Sequence, residues 1–253
     1  MTKTLIEWSD ECWNPYDWHC TKVSPGCKYC YAERDAKKYG RIFDGTPTWR
    51  RSSEDDLRKI KAGKVVFVNN HSDTYHEGAD LLDIMRIHKL AVQRPDLIML
   101  MLTKRPQVAL ALSDELQWPD NLWLGVSVES PAFMKRISIL KQVPAKHYFI
   151  SFEPLLARIN SDDLRMHLID VGWVIVGGES GEMHRPFQHQ WADDIRTVCK
   201  GYDIPFFYKQ GSAIFPGSDR ILQTTGQKHE ERPKMFNDHR LKYQPQAEQP
   251  SLF

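Results

Sequence analysis

The sequence predicts an α/β protein built on a parallel sheet, and three observations lead to this prediction. Short runs rich in β-branched and aromatic residues alternate with amphipathic stretches between residues 64 and 209, which is the pattern of βαβ units. Polar residues follow each run. The 253 residues, 41% of them hydrophobic, suffice for one sizeable core. About six to seven strands would form either a partial or closed (β/α) barrel or an open doubly wound sheet.

The elements follow from the order of these patterns along the chain. Strands are expected in residues 4–8, 64–70, 97–105, 121–129, 146–154, 172–180 and 205–210, and helices in residues 79–95, 130–144 and 189–202. After Gln210 the sequence becomes rich in turn-forming residues and predicts a loop and hairpin. We therefore divide the chain into a barrel (1–215), a C-terminal loop and hairpin extension (216–242) and a flexible tail (243–253).

Polar side chains follow nearly every predicted strand, at the edge where parallel sheets bind their ligands. For any one of them a capping role is the simpler interpretation, but six consecutive strands that end this way predict a site. Buried carboxylates there would need cationic partners or a cationic ligand. The candidates are Asn69, Ser72, Asp73, Thr103, Lys104, Arg105, Ser127, Glu129, Ser151, Glu153, Gly177, Gly178, Glu179, Ser180, Lys209 and Gln210.

Three of the five cysteines, Cys20, Cys27 and Cys30, lie within eleven residues and enclose the turn-forming segment SPG. An odd number of clustered cysteines in a chain of this size favours a metal site over disulfides. Three thiolates suit a [4Fe-4S] cluster with one iron open to a small ligand. A structural zinc takes four ligands and would recruit Cys12 or His19. The spacing alone leaves both possibilities open.

The charge pattern leaves nucleic acid open as a partner. The formal net charge is +1, yet residues 28–64 carry eleven Lys and Arg against six Asp and Glu, and residues 220–242 carry six against three. Each basic segment is either solvated surface or a rim that faces a polyanion. No apolar run reaches the roughly 20 residues that cross a bilayer, and the N-terminus has no signal pattern. We expect a cytoplasmic protein that contacts no membrane.

The segment CKYC resembles the second half of the radical S-adenosylmethionine (SAM) signature CxxxCxΦC, in which Φ is aromatic. Here six residues rather than three separate the first two cysteines. Over residues 5–235 the chain also resembles an uncharacterised phage and bacterial family that is assigned to the radical SAM group. The motifs that carry this resemblance are IEWSDECWNPYDWHCTKVSPGCKYCYAE, VFVNNHSDTYHE, LTKRP, LWLGVSVE, FISFEPLL, VIVGGESG and PFFYKQ.

This resemblance implies a radical SAM barrel in which Cys20, Cys27 and Cys30 hold a [4Fe-4S] cluster and SAM occupies the open iron. It implies SAM contacts from Asn69, Ser72, Asp73, Thr103, Lys104, Ser127, Glu129, Gly177, Gly178 and Glu179. Arg105, Ser151, Glu153, Lys209 and Gln210 are then left for substrate. A reductant such as flavodoxin or ferredoxin would be a partner. No residue is assigned as a catalytic acid or hydrogen donor.

The last five residues, QPSLF, resemble the peptide that binds the bacterial DNA polymerase sliding clamp, with Gln249, Leu252 and Phe253 as its anchors. Clamp binding implies DNA as substrate, in lesion repair by a lyase or in base modification, and exposed tryptophans would stack on a flipped base. Trp8, Trp13, Trp18 and Trp49 are among these aromatics; core packing is the other interpretation of a tryptophan, and no single one is assigned. The alternatives are radical chemistry on RNA, a peptide or a metabolite, and a zinc-stabilised nucleic-acid-binding or nuclease module.

Overall fold

A computed structural model describes residues 6–243 as one seven-stranded sheet in which all strands are parallel. Each strand pairs with the one before it in the chain, and the sheet curls into a half-barrel. The predicted parallel α/β fold is confirmed. The doubly wound alternative is wrong, since that fold requires a reversal of strand order. The strands are β1 (Glu11–Trp13), β2 (Val65–Val68), β3 (Ile98–Thr103), β4 (Leu122–Ser127), β5 (His147–Phe152), β6 (Trp173–Gly177) and β7 (Phe206–Gln210).

Helices follow most strands and cover the outer face of the sheet. The three predicted helices are confirmed as α3, α5 and α7, the longest of which have a clear apolar stripe. Most of the others are short or largely polar, so their patterns were too weak to predict. The helices are α1 (Tyr31–Lys38), α2 (Ser53–Arg58), α3 (Leu81–Gln93), α4 (Pro106–Ala111), α5 (Lys135–Leu140), α6 (Ser161–Leu168), α7 (His189–Gly201) and α8 (Lys234–Tyr243).

Alternate side chains of each strand enter two different cores, because successive residues of a strand point to opposite faces. On β2, Val66 and Val68 pack outward under the helices, whereas Val65 and Phe67 point into the barrel. The interior core is rich in aromatic rings and also holds Ile98, Leu100, Trp123, Phe149, Trp173, Ile175 and Phe207. At the end where the strands begin, the space inside the curled sheet is therefore filled with packed side chains and is not a pore.

Helix α8 closes the interior core at the end of the barrel where the strands begin. Phe236 is fully buried, and its ring centroid lies 5.0 Å from that of Trp123 and 5.3 Å from that of Trp173, both of which stand near the starts of their strands. This helix lies where the sequence predicts only a loop and hairpin, because its weakly amphipathic pattern hides the single aromatic anchor. The 216–242 extension is thus packed into the barrel.

Two further details correct the predicted elements. The first strand lies at Glu11–Trp13 and not in residues 4–8: Trp8 belongs to a turn and inserts its ring into the interior core, 4.5 Å from Phe67. At the other edge of the sheet, Glu230 pairs antiparallel with Phe207 and covers the open side of β7, an arrangement that protects an edge strand. The clamp-like anchors Gln249, Leu252 and Phe253 lie outside the described residues.

Among residues 6–243 no helix is both long and apolar enough to cross a bilayer.

Candidate functional site

A cavity of ≈ 210 Å³ opens at the carboxyl ends of the strands. This volume is about seven times the share of one water molecule in the liquid, so the cavity admits a small organic ligand. Its apolar wall is formed by Trp8, Phe67 and Leu102, and polar side chains from the ends of the strands line the rest. The site therefore lies where parallel α/β folds bind their ligands.

All three clustered cysteines line this cavity, and none of them is in a disulfide. Pro25 fixes the start of the 3-10 turn Pro25–Cys27 that carries the second thiol. Cys30 directly precedes α1 and receives hydrogen bonds from the backbone N–H groups of Ala32 and Glu33 in its first turn. The loop that follows β1 thus brings its three cysteines to one cavity.

Burial raises the pKa of two of these thiols, Cys20 and Cys30. Burial, together with the Asp73 carboxylate, raises the pKa of Cys20 to about 12, although the Arg105 guanidinium opposes this shift. Burial also raises the pKa of Cys30, and the nearby Cys27 adds to the effect. Because only thiolates bind metals well, loading of a metal centre here would release protons.

Arg105 holds the first part of the cysteine loop. Its side chain is 1% exposed and donates through Nη2 to the carbonyl (3.0 Å) and hydroxyl (2.8 Å) of Thr21. Nη1 lies 3.0 Å from Oδ2 of Asp73 and 3.8 Å from Sγ of Cys20, and Nε donates to Glu77 at 2.6 Å. All three guanidinium nitrogens are thus engaged within the protein. Arg105 therefore acts as a positioning residue in this structure, and its expected contact with substrate stays a prediction.

Glu129 contacts the middle of the same loop, at Ser24 and Gly26. Its carboxylate is completely buried, accepts a hydrogen bond from Ser24 Oγ at 2.6 Å, and pairs with Arg136 at 2.7 Å and Lys104 at 3.4 Å. Gly26 lies directly on this side chain: a Cβ atom there would stand 2.5 Å from Cγ and Oε1 of Glu129. The loop can pass over the carboxylate only because residue 26 has no side chain.

We predict that Gly26→Ala destabilises the protein by about 1–3 kcal/mol, the usual cost of overpacking a filled site. Gly201→Ala is the matched control, because no atom lies within 4 Å of the Cβ that it would add. Denaturant titration of the two variants measures the difference. Equal stabilities would contradict the close approach between Gly26 and Glu129.

A third contact joins the loop to the end of β6. The buried Glu179 carboxylate accepts hydrogen bonds from the backbone N–H of Arg185 (2.8 Å) and from its Nε (2.9 Å). Arg185 Nη2 also bonds to Glu179 and donates to the Pro25 carbonyl at 2.9 Å, while the guanidinium carbon lies 5.3 Å from the centre of the Tyr29 ring. Glu179 thus acts on the cysteine loop through Arg185.

The segment after β2 contributes some polar groups that have hydrogen-bond partners within the protein and some that have none. Asp73 accepts hydrogen bonds from Thr103 Oγ1 at 2.7 Å and from the backbone N–H groups of Tyr75 and Lys104, so its oxygens are engaged. The Asn69 amide bonds to Tyr16 N and Thr74 Oγ1. By contrast, polar atoms of three consecutive cavity-lining residues are buried without a hydrogen-bond partner: Asn70 Oδ1, His71 Nδ1 and Ser72 Oγ. Unpaired buried groups are costly, and a ligand that supplied partners would relieve that cost.

An ion pair lies across the ends of β5 and β7. Lys209 Nζ is 3.0 Å from Glu153 Oε1, and Ser151 Oγ donates to Glu153 Oε2 at 3.2 Å. All three side chains line the cavity and are partly or fully buried. These groups offer a cation, a carboxylate and a hydroxyl to a molecule that enters the cavity.

The structure brings together most of the predicted site residues. Two of them, Glu129 and Gly177, do not line the cavity: Glu129 lies beneath the cysteine loop, and Gly177 leaves room for the Glu153 carboxylate, which would lie 2.8 Å from a Cβ there. Gly178 lines the cavity but is closely approached by Ser212, and Gln210 bonds to Gly178 O and Gly217 N. Those predicted residues that do line it are Asn69, Ser72, Asp73, Thr103, Lys104, Arg105, Ser127, Ser151, Glu153, Gly178, Glu179, Ser180, Lys209 and Gln210.

Several lining residues were not predicted. Asn70 and His71 lie between predicted positions, and extending the strand-end rule by one or two residues would have found them. Tyr31 reaches the site from α1, where its hydroxyl donates to the Asn70 carbonyl at 2.6 Å. Its position next to Cys30 was the only available signal.

Over residues 6–243, no group of three His, Cys, Asp or Glu side chains converges on a point that would hold a single metal ion. The two proposed zinc ligands lie elsewhere: Cys12 packs against the interior core from β1, and His19 pairs with Asp17 outside the cavity. The cysteines of an iron-sulfur cluster need not converge on a single point, because each thiolate binds a different iron atom.

A family model described as "Protein of unknown function (DUF5131)" matches residues 3–238. No curated protein matches the sequence.

Proposed function

We propose that this chain, which belongs to the DUF5131 family of unknown function, is a radical SAM enzyme that acts on nucleic acid. The observation that carries the proposal is the position of three thiols in one loop over a cavity at the carboxyl ends of a curled parallel sheet.

The residues fit a cluster better than a structural zinc. Three thiols line the cavity, whereas neither Cys12 nor His19 lines it as a fourth ligand. Cys20, Cys27 and Cys30 would hold the [4Fe-4S] cluster. The chemistry that such a cluster supplies when bound is one-electron cleavage of SAM into methionine and a 5′-deoxyadenosyl radical, which takes a hydrogen atom from substrate. Flavodoxin or ferredoxin is the proposed class of electron donor.

The chain's own residues position the reactants and keep water away. Arg105, Glu129 and Arg185 fix the cysteine loop at three separate points. Trp8 and Phe67 give the site an apolar wall, which would limit the water around a bound cofactor. These contacts form within the protein and need no ligand. The loop would therefore need little reorganisation when a cofactor binds.

We assign the polar groups of the cavity either to the cofactor or to the substrate. The unpaired atoms of Asn70, His71 and Ser72 are assigned to SAM, because Asn69 and Asp73 are occupied within the protein. Lys104 lies at the end of β3, is 20% exposed, and pairs with Glu129 at 3.4 Å; a bound carboxylate or phosphate would share its ammonium group with Glu129. The Glu153–Lys209 pair and Ser151 are assigned to substrate, and Arg105 and Gln210 to positioning.

DNA is the proposed substrate class, with recruitment through the sliding clamp. This step rests on the C-terminal sequence QPSLF and on the basic segment at residues 28–64. A peptide that ends in QPSLF is expected to bind purified clamp, and the same peptide with Ala at both Leu252 and Phe253 is not. Equal binding of the two peptides in fluorescence anisotropy would reject the recruitment proposal and leave the radical chemistry untouched.

Metal analysis tests the proposed centre. After anaerobic purification and reconstitution, the protein should be brown and hold about four irons and four sulfides per chain. The zinc-module alternative predicts a colourless protein with one zinc and no retained iron. That second result would overturn the proposal.

A further inference from the structure

A group of aromatic, aliphatic and basic side chains, all exposed except the half-buried Trp18, lies beside the cavity mouth and takes no part in the chemistry proposed above. We call it the rim surface and define it by Trp18, Lys38, Tyr39, Arg41 and Ile42. Tyr39 is 65% exposed and Ile42 is 74% exposed, which is unusual for side chains of this size. Both belong to the turn that follows α1.

The rim surface is continuous with the cavity. His71 lines the cavity with one edge and stacks on Trp18, with ring centroids 4.1 Å apart and planes inclined by 16°. Phe43 also lines the cavity, and its carbonyl accepts a hydrogen bond from the backbone N–H of Cys20 at 2.8 Å. A molecule bound along the rim surface would therefore end at the mouth of the cavity.

The rings and cations of the rim surface are interleaved. The Arg41 guanidinium carbon lies 4.8 Å from the Trp18 ring centroid, and Lys38 Nζ lies 5.9 Å from that of Tyr39. The Tyr39 and Trp18 rings form an edge-to-face pair, with centroids 5.7 Å apart and planes at 83°, so at most one face of Tyr39 can be covered by Trp18. An exposed aromatic face next to cations that have no acidic partner is how proteins bind unpaired bases and their phosphates.

Both basic segments contain cations that form ion pairs, and in the first segment these are Lys37, Arg50, Arg58 and Lys59. In the C-terminal segment, Arg220, Arg232 and Arg240 all form ion pairs with acidic side chains. Within residues 6–243 neither Lys38 nor Arg41 forms one, and residues 37–44 hold three cations against the single carboxylate of Asp44. Among the described residues, Lys38 and Arg41 are thus without an ion pair and can meet a phosphate, although Asp17 lies beside Arg41 and Trp18.

We infer that the rim surface binds unpaired nucleotides of single-stranded nucleic acid, with a base stacked on Tyr39 and a phosphate at Arg41. This inference deepens the proposed function and rests on it for the fate of the bound nucleotide. A single strand is favoured over a duplex because a base inside a duplex offers no free face to an aromatic ring.

The test measures the binding of fluorescein-labelled oligothymidylate by the full chain, without SAM, in fluorescence anisotropy. Tyr39→Ala should weaken binding about tenfold or more, whereas Tyr39→Phe, which keeps the ring, should bind as the wild type does. Arg41→Ala should reduce the slope of log affinity against log salt by about 0.7, the contribution of one phosphate contact on a single strand. The matched controls are Tyr202→Ala and Lys200→Ala, since these two exposed residues lie at the far end of α7.

Loss of binding in Tyr39→Ala and Arg41→Ala, but not in the two controls, supports the inference. Unchanged binding in both rim variants, or equally tight binding of the same strand in a duplex, overturns it. The proposed reaction fails by a different result: a wild-type protein that binds the oligonucleotide but releases no 5′-deoxyadenosine would refute the radical chemistry and leave the rim surface as a nucleic-acid site.

Discussion

Cys27→Ala is expected to abolish both iron binding and the release of 5′-deoxyadenosine. The thiol lies in the turn between Cys20 and Cys30 and lines the same cavity as they do. With two thiolates left, a [4Fe-4S] cluster loses one of its three anchors in the protein, and the described residues hold no cysteine beside the cavity to replace it. The barrel itself should persist, with a change in the free energy of unfolding within about 1 kcal/mol, because Cys27 is only half-buried.

Cys12→Ala is the matched control for this variant. Cys12 is the cysteine that the zinc alternative would recruit, yet it packs toward the interior core from β1 and does not line the cavity. We expect this variant to retain its iron after anaerobic reconstitution. Retained iron in Cys27→Ala, or its loss in Cys12→Ala, would contradict the ligand assignment.

Arg105→Met is expected to have the largest effect on stability. The arginine is almost completely buried and bonds to Asp73, Glu77 and the Thr21 carbonyl. Removal of one partner from a buried ion pair typically costs about 3–5 kcal/mol, since the other charge stays desolvated. The cysteine loop also loses its attachment at Thr21, so we expect less iron per folded chain at temperatures well below unfolding.

Arg165→Met provides the comparison, because the Arg165–Asp162 pair lies on the surface and both side chains are more than half exposed. Such pairs contribute up to about 1 kcal/mol. Arg105→Lys tests the geometry: it keeps the charge but has no planar fork to reach Asp73 and Thr21 together. Wild-type stability and iron content in Arg105→Met would remove the positioning role, and full rescue by lysine would show that charge alone suffices.

The sequence predicted the fold well because the strands carry strong local signals. β2 to β7 are short runs of β-branched and aromatic residues bounded by turns, and each was expected within a few residues of its observed position. β1 was misplaced because Trp8 lies in an apolar run, yet its ring packs into the barrel from a turn. α8 was missed because a single buried aromatic, Phe236, anchors an otherwise polar helix. In both cases a tertiary contact outweighed the local pattern.

The difference between local signals and tertiary contacts also decides which features of the site the sequence could predict. The carboxyl-end rule identified most of the lining, since it depends only on strand direction. It could not distinguish residues that face a ligand from residues that hold the loop. Arg105 and Glu129 both follow strands, yet their partners Thr21 and Ser24 lie more than 80 positions away in the chain. Contacts of that sequence separation have no local signature.

The most direct test of the proposed function is an assay for 5′-deoxyadenosine after the reconstituted protein is reduced anaerobically in the presence of SAM. We expect its formation in the wild-type protein and none in Cys27→Ala or in the absence of reductant. A protein that holds its full complement of iron, accepts an electron and still leaves SAM intact would contradict the assignment. The three cysteines would then hold a centre for some other reaction.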